Sequence, residues 1–168
     1  GVSPQLMLQN YMLERLIDRI SRSPWRECVI VKGGMLIGSL IGVDRRTTKD
    51  LDTTVRGFTL THDKATEVFS AICAISVDDD LSFELLRTED IRETDEYPGI
   101  RVFLHARYGT LSVPLTVDVT TGDRIIPDAI AYEYPFVFDE GSARIMAYPL
   151  ETVLAEKLET ILVRNVTT

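Results

Sequence analysis

Two aspartates separated by one residue, Asp50-Leu51-Asp52, follow a double glycine, Lys32-Gly33-Gly34, after an interval of fifteen residues. Side chains at i and i+2 of a strand project to one face, so Asp50 and Asp52 would point together while Leu51 faces the core. Carboxylates this close repel each other, and the arrangement persists cheaply only around a cation or with one group protonated. Mg²⁺ (or Mn²⁺) takes hard oxygen ligands and, for Mg²⁺, keeps several waters, so two carboxylates plus substrate phosphates make a natural site. The glycines add the complementary part. They let backbone approach a ligand, and free N–H groups at a helix start attract phosphate. No Gly-Lys-Ser/Thr follows at P-loop spacing, and Gly33 to Gly38 does not satisfy the dinucleotide-binding pattern.

A third carboxylate lies in Leu115-Thr116-Val117-Asp118-Val119-Thr120, where apolar and polar residues alternate. Such a strand carries Asp118 on its polar face with Thr116 and Thr120. If it pairs beside Asp50–Val55, three carboxylates converge. That set suits two metal ions about 3.5–4 Å apart, clamping the entering and leaving oxygens of an in-line displacement. Lys157 is the fourth clue. On a wheel of the last helix it falls within the arc of Leu150, Val153, Leu154, Leu158 and Ile161, where a charge is costly unless it reaches water or an anion. Each feature alone has a bland reading: a turn, a solvated face, an edge residue, a snorkelling lysine. One ligand, a metal-bound nucleoside triphosphate, accounts for all four.

Ser3-Pro4 reads as the cap and first turn of a helix running to about Ser21. Cys28 to Val31 reads as a buried strand, broken by the glycines, and Met35 to Ile41 as a short buried helix. Asp50–Val55 is the next strand, and a helix spans about Thr61 to Ala74. Leu81–Leu86, Ile100–Tyr108 and Leu111–Val119 read as strands, with Tyr108-Gly109-Thr110 turning between the last two. Ala131–Phe138 and Ala143–Tyr148 form a short β pair, and Pro149 opens a final helix to about Arg164. The class is therefore α/β (α+β), a mixed sheet flanked by helices.

The 168 residues, 45% hydrophobic, fit one domain covering 1–168. The apolar stripe of the last helix suggests that a further C-terminal helical region packs on it. No run approaches the roughly 18 apolar residues of a membrane span, and the start is not a signal peptide, so a cytoplasmic protein is expected. Cys28 and Cys73 read as buried free thiols, and His62 and His105 as surface or pairing residues without metal-ligand spacing. Asp78-Asp79-Asp80 reads as an acidic loop. The net charge of −8 excludes a generally basic nucleic-acid clamp. Yet Lys32, Arg45, Arg46, Lys49 and Arg56 outnumber Asp44, Asp50 and Asp52 within one segment, which points to an anionic ligand there.

Lys32-Gly33-Gly34, then Arg46-Thr47-Thr48-Lys49-Asp50-Leu51-Asp52, Asp118 in its strand, and Leu150 to Leu158 together resemble the AbiEii/AbiGii family. These are nucleotidyltransferase-like toxins of type IV toxin–antitoxin and abortive-infection systems, related to the MenT toxins. The resemblance implies a nucleotidyltransferase core and GTP or another triphosphate as substrate. It implies tRNA as an acceptor and a cognate antitoxin as partner. By the same resemblance Asp50 and Asp52 hold the metals, and Asp118 completes the set and helps activate the acceptor hydroxyl. Gly33 and Gly34 cradle the triphosphate, Lys157 contacts phosphates, and Lys32 and Arg46 bind phosphate or acceptor. The Arg-Asp motif with which the family continues is not visible after Asn165. Two rivals stay open: a nucleotidyltransferase acting on a small alcohol such as an antibiotic, and a non-catalytic nucleotide-binding module. Ser/His/Asp hydrolysis fits poorly, since neither histidine lies in a catalytic motif.

Overall fold

The computed structural model describes residues 3–41, 48–91, 99–121 and 129–166. In chain order the elements are α1 (Pro4–Ser21), β1 (Val29–Lys32), α2 (Gly33–Ile41), β2 (Asp50–Val55), α3 (His62–Cys73), β3 (Leu81–Asp90), β4 (Gly99–Tyr108), β5 (Leu111–Thr120), β6 (Ile130–Pro135), β7 (Ser142–Ala147) and α4 (Leu150–Val166). Among the described residues seven strands form a mixed sheet in the order β3-β4-β5-β2-β1-β7-β6. β2 runs parallel to β5 and β1 parallel to β7, while the remaining pairs are antiparallel. The expected α/β class with a mixed sheet flanked by helices is what the chain forms.

The alternation of the strands decides which face is covered. Val102, Leu104 and Ala106 of β4 and Val113, Leu115, Val117 and Val119 of β5 are buried in one core with Leu13, Leu16, Ile17 and Ile20 of α1 and Val68, Phe69 and Ile72 of α3. Residues between them in sequence, Arg101, Phe103, His105, Thr116, Asp118 and Thr120, are only half-buried and occupy the other face. β3 carries a bulge at Leu86, which moves Arg87 opposite Phe103 and keeps both on that open face.

The first helix is more deeply set than an amphipathic surface helix. Ser3 caps it by accepting from the Leu6 amide. From Met12 to Ile20 every residue is buried, charged ones included. The Glu14 carboxylate accepts from the Val137 and Phe138 amides at 2.6 and 3.1 Å. Arg19 forms a two-pronged pair with Asp79 at 2.8 and 2.9 Å. Its polar side is thus covered by the β6–β7 turn and by the loop leading into β3. Asp79 is therefore a structural counter-ion within the acidic loop 78–80.

α4 carries the expected apolar stripe, and most of it is uncovered among the described residues. Val153 is buried, but Leu154, Leu158 and Ile161 are 43%, 58% and 46% exposed. Among the described residues no helix is long and apolar enough to cross a membrane. Cys28 and Cys73 are free and half-buried, and burial pushes the Cys73 thiol up to about 11.

Candidate active site

β2 lies between β1 and β5, and the registers bring three expected residues into one row. Lys32 of β1 pairs opposite Asp52, and Asp52 pairs opposite Asp118 of β5. β4 adds Arg101 opposite Asp118. Four neighbouring strands thus carry Lys32, Asp52, Asp118 and Arg101 side by side, with signs plus, minus, minus, plus. The strand pairing on which convergence of the carboxylates depended is present.

The contacts within the row are specific. Arg101 donates from Nε and an Nη to the two oxygens of Asp118, at 2.7 and 3.0 Å. Lys32 Nζ donates to Thr120 Oγ1 at 3.1 Å and lies 5.5 Å from the centroid of the Tyr148 ring. Two residues before Asp52, Asp50 accepts a hydrogen bond from Thr116, its partner in register. Asp52 sits at the centre. Burial, followed by the charge of Asp118, pushes its carboxyl up to about 6; Lys32 and Arg101 oppose this and Asp50 adds to it.

The glycine turn closes over this carboxylate. Gly33 has φ +75°, a left-handed conformation, and a β-carbon built there would lie 2.8 Å from the Cβ of Asp52 and closer still to one of its carboxylate oxygens. A β-carbon on Gly34 would lie 2.9 Å from Thr48 Oγ1. α2 begins at Gly33, so its first free N–H groups open beside the row. Thr48 is anchored from below, its carbonyl accepting from Asn10 Nδ2 of α1 at 2.6 Å. Gly33→Ala is expected to lower unfolding free energy by about 1–2 kcal/mol through the left-handed backbone alone. It should also push Asp52 out of its place. Urea titration reads the first effect, and loss of the Asp52-dependent pH response of stability reads the second.

A divalent cation fits part of this arrangement. Asp50 and Asp52 supply hard oxygen donors on one strand face, and a cation there would oppose the burial and the Asp118 charge that raise the Asp52 carboxyl. Asp118 has both oxygens on Arg101, and among the described residues no group of three or more His, Cys, Asp or Glu side chains is disposed to hold a metal ion. Lys157 is exposed on α4, so the argument from a buried charge does not apply to it in this structure. Arg46 lies outside the described residues.

Arg101 was missed from sequence, yet the signal was there. A two-residue turn at Gly109-Thr110 pairs Tyr108 with Leu111, and counting back seven residues along each strand puts Arg101 opposite Asp118. Lys32 was expected near phosphate, but its bond to Thr120 required knowing that β1 and β5 flank the same strand.

A model of the AbiEii nucleotidyl transferase toxin family, type IV toxin–antitoxin system, matches residues 15–167. No curated protein matches the chain by sequence. Among solved structures, JHP933 from Helicobacter pylori is 14% identical with a TM-score of 0.52, covering 94% of this chain and 58% of its own. A second H. pylori structure, described as a candidate nucleotidyltransferase, is 15% identical with a TM-score of 0.51, covering 93% and 59%. At such identities the likeness concerns the fold. The chain spans under three-fifths of the length of either structure.

Proposed function

The chain belongs to the AbiEii nucleotidyl transferase toxin family, and from that premise we propose that it transfers a nucleotide from a triphosphate such as GTP to an acceptor hydroxyl. The acceptor oxygen forms a bond to the α-phosphorus, the bond from that phosphorus to the bridging oxygen breaks, and pyrophosphate leaves. The observation that carries this reading is the parallel, in-register pairing of β2 with β5, which sets Asp118 opposite Asp52 beneath the Gly33 turn.

In this reading Asp50 and Asp52 would hold Mg²⁺ or Mn²⁺, with Asp118 able to join them only by giving up a bond to Arg101, and the ion when bound would neutralise the phosphates and the developing charge. The other roles belong to the chain. The amides at Gly33 and Gly34 receive the triphosphate, a role that needs bare backbone close to the ligand. Lys32, with Lys157 and Arg46, supplies positive charge to phosphate oxygens. Asp118, oriented by two bonds from Arg101, faces the acceptor hydroxyl and accepts its proton. Positioning and charge compensation do most of the catalytic work, since little covalent chemistry falls to the protein.

The proposed setting is a toxin kept in check by an antitoxin, with a tRNA end as acceptor and the cytoplasm as site of action. The test is to incubate the full-length protein with each α-³²P nucleoside triphosphate, Mg²⁺ and total RNA. Label in RNA, with release of pyrophosphate and loss of both on chelation by EDTA, is the expected result. Label passing only into a small molecule, or nucleotide binding with no pyrophosphate, would replace this reading with a different one.

A further inference from the structure

Beside the carboxylate row, on the open face of the sheet, lies a groove of about 360 Å³ whose lining includes Lys49, Asp50, Arg87, Phe103, His105 and Thr116. It is continuous with the site, because Asp50 and Thr116 belong to both. Its chemistry differs from that of the row. Phe103 is half-buried, and the Arg87 guanidinium lies over its ring at 4.0 Å from the centroid. Arg87 reaches this place only because the β3 bulge shifts the register at Leu86. Cations and ring systems alternating in a groove suit a nucleobase joined to phosphate: the flat face stacks and the charges meet the backbone. Lys49 and Arg87 supply the positive charge, and Arg87 also pairs with Glu89 at 3.1 Å.

Resting on the nucleotidyl-transfer reading, we infer that this groove receives the acceptor, as the terminal nucleotides of a single-stranded RNA stacked at Phe103. The side of the sheet decides between acceptor and triphosphate. In-line displacement places the leaving pyrophosphate and the entering hydroxyl on opposite sides of the reacting phosphorus. The Gly33-Gly34 turn follows β1, on one flank of the strand that carries Asp50 and Asp52. The groove starts at Lys49 and Asp50, where Gln9 of α1 also lines it, and extends away from the glycines across β5, β4 and β3, on the other flank. With the triphosphate tail at the glycines, the groove is where the hydroxyl enters.

The probe is a 5′-fluorescein-labelled single-stranded oligoribonucleotide of about ten residues, titrated by anisotropy into the full-length protein. Transfer of α-³²P label to it is followed in parallel. Phe103→Leu keeps apolar bulk but removes the flat ring, and Arg87→Gln removes one charge. Arg107→Gln is the matched control: Arg107 sits on the same hairpin, pairs with Glu84 at 3.1 Å as Arg87 pairs with Glu89 at 3.1 Å, and does not line the groove. Phe103→Leu and Arg87→Gln should each weaken RNA binding about tenfold and raise KM for RNA to match, with KM for the triphosphate unchanged. Arg107→Gln should leave all three values as in the wild type. Unaltered RNA binding in both groove variants, or a rise in KM for the triphosphate instead, overturns the inference while leaving nucleotidyl transfer standing. Transfer to protein with no RNA binding does the same. If the wild type neither binds a triphosphate nor transfers it, the functional reading fails and this inference falls with it.

Discussion

Asp52→Asn is expected to lose nucleotide transfer by about a thousandfold or more and yet to give a protein that melts higher than the wild type at neutral pH. Both effects have one origin. Asp52 is a half-buried carboxyl facing Asp118 across the parallel pair, with Asp50 two residues away. Its carboxyl is pushed up to about 6 by burial and then by Asp118. The folded protein therefore holds this proton more tightly than the unfolded chain does. Stability from this group is fully present below the unfolded value of about 4 and declines as pH rises through about 6. The loss is at most about 3 kcal/mol, by the usual 1.36 kcal/mol for each pH unit between the two values. Asparagine carries no such charge, so its urea-derived stability should be flat over that window. Mg²⁺ should raise the melting temperature of the wild type at pH 7.5, and EDTA should reverse this, with little response in the variant. A wild type whose stability does not fall between pH 4 and 6.5 would contradict the electrostatic account. An active Asp52→Asn would contradict the chemical one.

Much of this site was legible because local patterns are short-range. The i, i+2 spacing of Asp50 and Asp52 and the alternation from Leu115 to Thr120 fix which side chains share a face, once each segment is a strand. β2 spans Asp50–Val55 as read, and α3 begins after its Thr61 cap. What those patterns do not contain is lateral order. Nothing in the sequence of β2 says that β5 lies parallel on one side and β1 antiparallel on the other, so the row from Lys32 to Arg101 emerges only from the assembled sheet. The helices show the reverse problem. The pattern of α1 is amphipathic, with Glu14, Arg15, Asp18 and Arg19 charged, but loops distant in sequence supply partners and bury that side too. In α4 the stripe forms as read, and Leu154, Leu158 and Ile161 remain exposed around Lys157, so the stripe by itself does not bury the lysine. A periodic stripe states which residues could pack together, and a partner surface decides whether they do.

Arg19→Ala is expected to be the most destabilising single change outside the site, by about 3–5 kcal/mol. Arg19 and Asp79 side chains are 1% and 4% exposed, and the guanidinium also donates to the Leu81 carbonyl at 3.1 Å and lies 4.6 Å from the Phe83 ring centroid. Among the described residues, removing it leaves a buried carboxylate bonded only by the Leu81 amide, with the charge of Arg15 farther off, whereas the double variant Arg19→Met, Asp79→Leu removes both charges and should recover most of the loss. A cycle of these variants in urea measures the coupling, and a double variant as unstable as Arg19→Ala would contradict it. The pH response separates this pair from Asp52 by sign. Burial alone would raise the Asp79 carboxyl, but the bonds from Arg19 and the Leu81 amide and the charge of Arg19 outweigh it and hold the group below its ordinary value. Its contribution is present above the unfolded value of about 4 and lost as pH falls through the lower folded value, the opposite slope to Asp52. The same helix holds Thr48 through Asn10, at the approach to Asp50 and Asp52. Arg19→Ala should accordingly lose transfer only as it unfolds, so that at 10 °C the folded fraction turns over as the wild type does, which activity normalised to the circular-dichroism signal will show.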